Sequence, residues 1–82
     1  MREKKKFFLM TFQTTTQAMK LEVIAKEQGL PGRMIPIPAS VRAGCGMAWR
    51  AEVSDREQIL EAAAQSDVSW EQETEVWLWE RV

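Results

Sequence analysis

Apolar and polar positions along this chain follow two periods, and the switches between them mark its elements. Phe7 to Phe12 is an apolar and aromatic run with no turn signal inside it, bounded by lysines before and threonines after. That length and those bounds predict a buried strand. From Gln17 to Gln28 the residues are helix formers, and Ala18, Leu21, Ile24 and Ala25 fall on one side of a 3.6-residue helix, the stripe that faces a core. Thr14 to Thr16 supply N-cap hydroxyls, and Thr14 with Gln17 has capping-box spacing. Met19 and Val23 lie on another side and read as edge residues. Gly29 ends the helix, and Pro31 blocks its continuation.

Gly32 to Pro38 alternates, with Ile35 and Ile37 on one side and Met34, Pro36 and Pro38 on the other. Two prolines cannot donate to a ladder, which places this strand at a sheet edge. Residues 39–46 read as a loop, and Met47 to Val53 as a half-buried strand with Met47, Trp49, Ala51 and Val53 on one face. Ser54 to Glu57 has the form of a second capping box, leading a helix with Ile59, Leu60 and Ala63 as its stripe and an end near Ser66. The tail from Val68 to Val82 reads as one kinked strand or two short ones. The order strand, helix, strand, strand, helix, strand predicts an α+β fold, the ferredoxin-like βαββαβ sandwich: an antiparallel sheet with two helices on one face. Trp77 and Trp79 alternate with Val76 and Leu78, so one of these pairs must face away from the helices. Aromatic side chains left on a surface are typical of interfaces. A homodimer through the open sheet face is therefore expected, unless the tail folds back over its own tryptophans.

At 82 residues the chain is read as one domain, 1–82, with residues 1–6 as a solvated N-terminal lead-in. The apolar run after the lysines stops at Phe12, short of a secretory or membrane-spanning segment. A single cysteine makes no disulfide framework, so a reducing, cytoplasmic setting is expected, with no membrane partner. A formal net charge of −1 argues against a nucleic-acid partner.

Composition then narrows the chemistry. With no histidine the chain cannot assemble a Ser/His/Asp or Cys/His catalytic set, and one cysteine cannot build a zinc site. Neither a Walker loop nor a G-x-G-x-x-G follows the first strand. No metal, no cofactor and no self-sufficient enzymatic activity are expected. What remains is the stretch Arg42 to Arg50, R-A-G-C-G-M-A-W-R, around the lone thiol of Cys45. A thiolate attacks sulfur in disulfides and persulfides. Gly44 and Gly46 leave room beside it and offer amides for an anion. Arg42 and Arg50 are candidate sources of positive charge, with Arg33 as a third. The plainer alternative is a structural cysteine in a glycine turn, in a non-catalytic interaction or regulatory module.

Three pieces of the chain carry a resemblance to a known family: F-Q-T-T-T-Q-A-M-K-L-E (Phe12 to Glu22), G-L-P-G-R-M-I-P-I-P (Gly29 to Pro38) and C-G-M-A-W-R (Cys45 to Arg50). In that order and spacing the chain resembles the selenium/sulfur (Se/S) carrier protein-like family. The resemblance implies a βαββαβ domain in which Cys45 carries sulfur or selenium, as a persulfide- or perselenide-type adduct, between donor and acceptor proteins. The family usually shows small hydroxyl residues before the cysteine, where Arg42, Ala43 and Gly44 stand here.

Overall fold

The computed structural model describes residues 2–42 and 44–81, with side chains for 3–42 and 44–80. The elements are β1 (Arg2–Thr11), α1 (Thr15–Gln28), β2 (Arg33–Pro36), β3 (Met47–Glu52), a 3-10 turn (Val53–Asp55), α2 (Arg56–Gln65) and β4 (Gln72–Arg81). The four strands form one antiparallel sheet in the order β2-β3-β1-β4. This is the α+β, ferredoxin-like arrangement that the element order predicts, with proline-bearing β2 at one edge.

Residues paired directly across an antiparallel ladder share a face, so the register sorts the side chains. Phe8 opposite Ala51 and Met10 opposite Trp49 face the helices. They join Phe12, Ala18, Leu21, Ala25, Ile59, Ala63 and Val68 in one core. Each large apolar side chain sealed there contributes on the order of 1.5–3 kcal/mol. Ala18, Leu21 and Ala25 of the expected α1 stripe are buried, and Ile24 packs against them from the edge. Met19 and Val23 are exposed.

Capping follows the sequence only in part. The Thr14 hydroxyl accepts from the Gln17 backbone N–H at 3.3 Å, and Gly29 closes α1 in the left-handed region at φ 67°. The Gln17 side chain, however, accepts from the Ser69 N–H at 2.9 Å and so ties α1 to the segment before β4. Thr14→Ala should lower unfolding free energy by about 1 kcal/mol in a denaturant titration. The second capping box does not form. The chain takes a 3-10 turn through Ser54, α2 starts one residue later with Asp55 as N-cap, and no side chain caps it.

Three further expectations are corrected. Residues 2–6 are not a lead-in but the first half of β1, paired with Trp77 to Arg81. A lysine run sustains a strand here because β4 supplies a partner along its whole length and Trp77 and Trp79 lie beside the lysine stems. Lys6 Nζ lies 5.9 Å from the Trp77 ring centre and Lys4 Nζ 5.5 Å from that of Trp79. Lys5, on the opposite face, donates to Glu52 at 2.7 Å, which raises its pKa above the ordinary 10.5. That contribution is present at neutral pH and is lost as pH rises through the raised value. The tail is one continuous strand, and only Val68 to Glu71 before it is irregular. β2 and β3 are each shorter than expected, although an Ile37 N–H to Gly46 C=O bond of 2.9 Å extends their ladder past Pro36.

The tryptophans lie on the side not foreseen for an open-face interface. Val76 and Leu78 are the pair turned away from the helices, and both are half-buried. Trp77 and Trp79 are on the helix side, yet 61% and 60% exposed, because they lie along β4 where neither helix covers them. The helix-free face is partly self-shielded. Phe7, Leu9, Thr11 and Ala48 on it are buried, with the Arg50 guanidinium 4.4 Å from the centre of the Phe7 ring.

Candidate functional site

The Cys45 loop joins β2 to β3 at the end of the sheet where β1 leaves for α1 and β4 begins. Its position is set by backbone bonds rather than by packing of large side chains. The Cys45 N–H donates to the Phe12 carbonyl at 3.3 Å, the Val41 N–H to Pro38 at 3.0 Å, and the Ile37 N–H to Gly46. From the far side of the sheet, the Gln72 amide donates to the Arg42 carbonyl at 3.5 Å. The Glu71 carboxylate accepts the Gly44 N–H at 3.0 Å, while the Glu71 N–H donates to Thr11 at 2.7 Å. One residue thus ties the loop to the end of β1. Glu71 is invisible to motif reasoning because it lies 27 positions from Gly44.

Cys45 is a free thiol, half-buried, with its side chain against the core and its S–H donating to the Met47 carbonyl at 3.7 Å. The two glycines beside it are not equivalent. Gly46, at φ 79°, has open space where a side chain would project. Gly44 is packed, since a Cβ there would lie 3.0 Å from the Gln13 carbonyl oxygen. Bareness at Gly44 lets the loop dock on the strand-to-helix turn. At Gly46, next to Cys45, nothing packs against the position a side chain would take. The anion nest suggested by the pair is partly filled from within, because Glu71 occupies the Gly44 amide.

Arg50 does not stand beside the thiol. Arg42 is exposed, three residues before Cys45, and its carbonyl accepts from Gln72. Arg50 pairs with Leu9 of β1, three residues back from Phe12, where Cys45 is anchored, and it projects from the helix-free face. There it lines a shallow concavity of about 480 Å³ with Phe7, Gly32 and its cross-strand partner Arg33. Cys45 packs on the helix side, so the sheet itself separates the two groups. Arg50→Gln should leave the alkylation rate of Cys45 within about twofold of wild type, whereas Glu71→Ala, which frees the loop, should raise it several-fold. Timed iodoacetamide labelling read by mass spectrometry measures both.

Among the described residues no group of three or more histidine, cysteine, aspartate or glutamate side chains is arranged to hold a metal ion. No described helix is long and apolar enough to cross a membrane. No curated protein and no solved structure matches the chain. A family profile does match it, over residues 7–74, from the buried half of β1 through the Cys45 loop to the start of β4. On that match, the chain belongs to the family described as Putative Se/S carrier protein-like.

Proposed function

We propose that this protein is a cytoplasmic carrier that accepts sulfur or selenium on the Cys45 thiol and passes it from a donor protein to an acceptor protein. Family membership supports the cargo. The single structural observation that supports the site is a free, half-buried thiol flanked by the open position at Gly46. In the sulfur case, the Cys45 thiolate attacks the terminal sulfur of a donor persulfide. A new S–S bond forms to Cys45, the donor's S–S bond breaks, and the donor cysteine leaves as a thiolate, with no net oxidation. The reverse attack by an acceptor thiol unloads the carrier.

Such a protein needs no base of its own. The donor and acceptor enzymes supply the activated sulfur, and the carrier supplies a thiol whose backbone is held by Phe12 and whose loop is held by Glu71. Loading requires the S–H to lose its proton and its contact with Met47. The test is incubation with a cysteine desulfurase and cysteine, or with a donor protein that carries its selenium as the outer atom of a perselenide-type adduct, so that loading is again an exchange with no net oxidation, followed by intact-mass analysis. A product heavier by one sulfur or selenium atom, mapped to Cys45, supports the reading. An unmodified protein, under conditions that load a known carrier, refutes it.

A second reading rests on the same thiol's contacts. A cysteine packed against the core and donating to a main-chain carbonyl is also what a structural residue of an interaction module does. Cys45→Ser separates the two, because a carrier loses transfer while an interaction module keeps its partner.

A further inference from the structure

The two edges of the sheet are built differently. β2 has four residues and carries Pro36, with Pro38 just beyond, so it offers little to a new strand. β4 has ten residues, no proline, and an unbroken register against β1 from Gln72 opposite Thr11 to Arg81 opposite Arg2. As the last strand, it turns every second N–H and C=O away from the sheet. The two most exposed tryptophans of the described chain lie on it. The strand is neither short nor bulged and holds no proline, and its charges are segregated, with Glu73 and Glu75 in the first half and Glu80 and Arg81 at the end.

The side chains along β4 are arranged in two halves. On the helix side, Glu73 and Glu75 occupy the first half, and Trp77 and Trp79 the second, with Lys6 and Lys4 beside their rings. On the other side Val76 and Leu78 form a short apolar strip. An antiparallel copy of the same strand, turned about a two-fold axis through Trp77, brings each half against its complement. Trp77 then meets Trp77 of the second copy, and Glu75 meets Trp79 with Lys4 next to it. Val76 meets Leu78 on the opposite face. Helices of both copies stay on one side of the sheet, because residues of equal parity are matched.

We propose that β4 is a self-pairing edge through which two copies form a symmetric dimer with a continuous eight-stranded sheet. The occupant is a second copy because the acidic half and the lysine-tryptophan half complement each other only when the strand is reversed on itself. This surface is independent of the Cys45 reading. Cys45 is anchored at Phe12, whereas Trp77 and Trp79 pair with Lys6 and Lys4 toward the other end of β1.

Sedimentation equilibrium of the full chain over about a hundredfold range of concentration should show a monomer–dimer equilibrium. Trp77→Lys should raise the dissociation constant at least about tenfold, with unchanged circular dichroism, because the position is exposed in the monomer. A second experiment fixes the register. In a Cys45→Ser background, Trp77→Cys places two thiols directly opposite one another, at the Cα spacing of about 4.5–5.5 Å that a disulfide spans. Trp79→Cys does not, since it faces Glu75. Rapid oxidative cross-linking of the first variant and not of the second supports the proposal. A wild-type chain monomeric throughout, a dimer untouched by Trp77→Lys, or equal cross-linking of both cysteine variants overturns it.

Discussion

Replacing Cys45 with serine should abolish loading by a sulfur or selenium donor while leaving the fold in place. The second half of that expectation follows from the site's construction. The loop is held by the Cys45 N–H on the Phe12 carbonyl, the Gly44 N–H on the Glu71 carboxylate and the Ile37 N–H on the Gly46 carbonyl, none of which uses the sulfur. Serine keeps the approximate shape and can donate to the Met47 carbonyl as the thiol does. The stability cost is about 1 kcal/mol, the ordinary scale for a partly buried polar exchange. Loss of transfer in a variant that is still folded, with its unfolding midpoint lowered by no more than that cost, therefore isolates the thiol chemistry. Intact-mass analysis and a urea titration on the same preparation measure both. Retained loading in the serine variant would move the adduct elsewhere and end the Cys45 assignment.

Of the four glycines, Gly32 is the one where an added methyl has the largest expected effect on stability. Gly32 sits at φ 104°, and a Cβ there would lie 2.4 Å from the Arg50 carbonyl oxygen and 2.6 Å from the Trp49 indole nitrogen. The first neighbour is strand backbone. The second is fixed, because the indole N–H donates to the Pro31 carbonyl at 3.0 Å. Neither yields without opening the β2–β3 ladder. Backbone strain and overpacking together predict a loss of about 3 kcal/mol or more, a large share of the stability of so small a domain. Gly46→Ala is the control. Its φ of 79° carries similar strain, but the added methyl meets nothing within 4 Å, so a loss of about 1 kcal/mol is expected. Denaturant midpoints that fail to separate the two variants would contradict the packing at Gly32. Because Gly46 lies beside the thiol, its alanine variant should also slow the loading of Cys45, which Gly32→Ala does only by unfolding.

Much of the fold is legible because its signals are local. The α1 stripe, the Thr14 cap and the Gly29 stop all lie within a few residues of what they control, and each is in place. The prolines of β2 mark an edge wherever that strand is put. The lysine run is not legible, for the complementary reason. Five charged residues have no strand tendency of their own, and Arg2 to Lys6 is extended because Trp77 to Arg81 lies beside it. Ser54 to Glu57 has the spacing of a cap, but the chain leaves β3 in a 3-10 turn, and the capping geometry is lost.

The candidate site divides in the same way. A lone thiol between glycines, in a chain without histidine, can be read from composition and points to chemistry supplied by other proteins. That Arg50 stands on the opposite face of the sheet is a matter of strand parity and register, and five positions of sequence proximity conceal it. Glu71 reaches Gly44 only because β4 begins where the β2–β3 loop closes. By itself the sequence determined the order of the elements, the α1 stripe with its Thr14 and Gly29 ends, the family and the lone thiol of Cys45, since periodicity, caps and residue chemistry are carried by neighbours in the chain. The tertiary structure decided which glycine is open, which carboxylate holds the loop, and which edge strand is left bare with its tryptophans in solvent. Those depend on how segments tens of residues apart are brought into register.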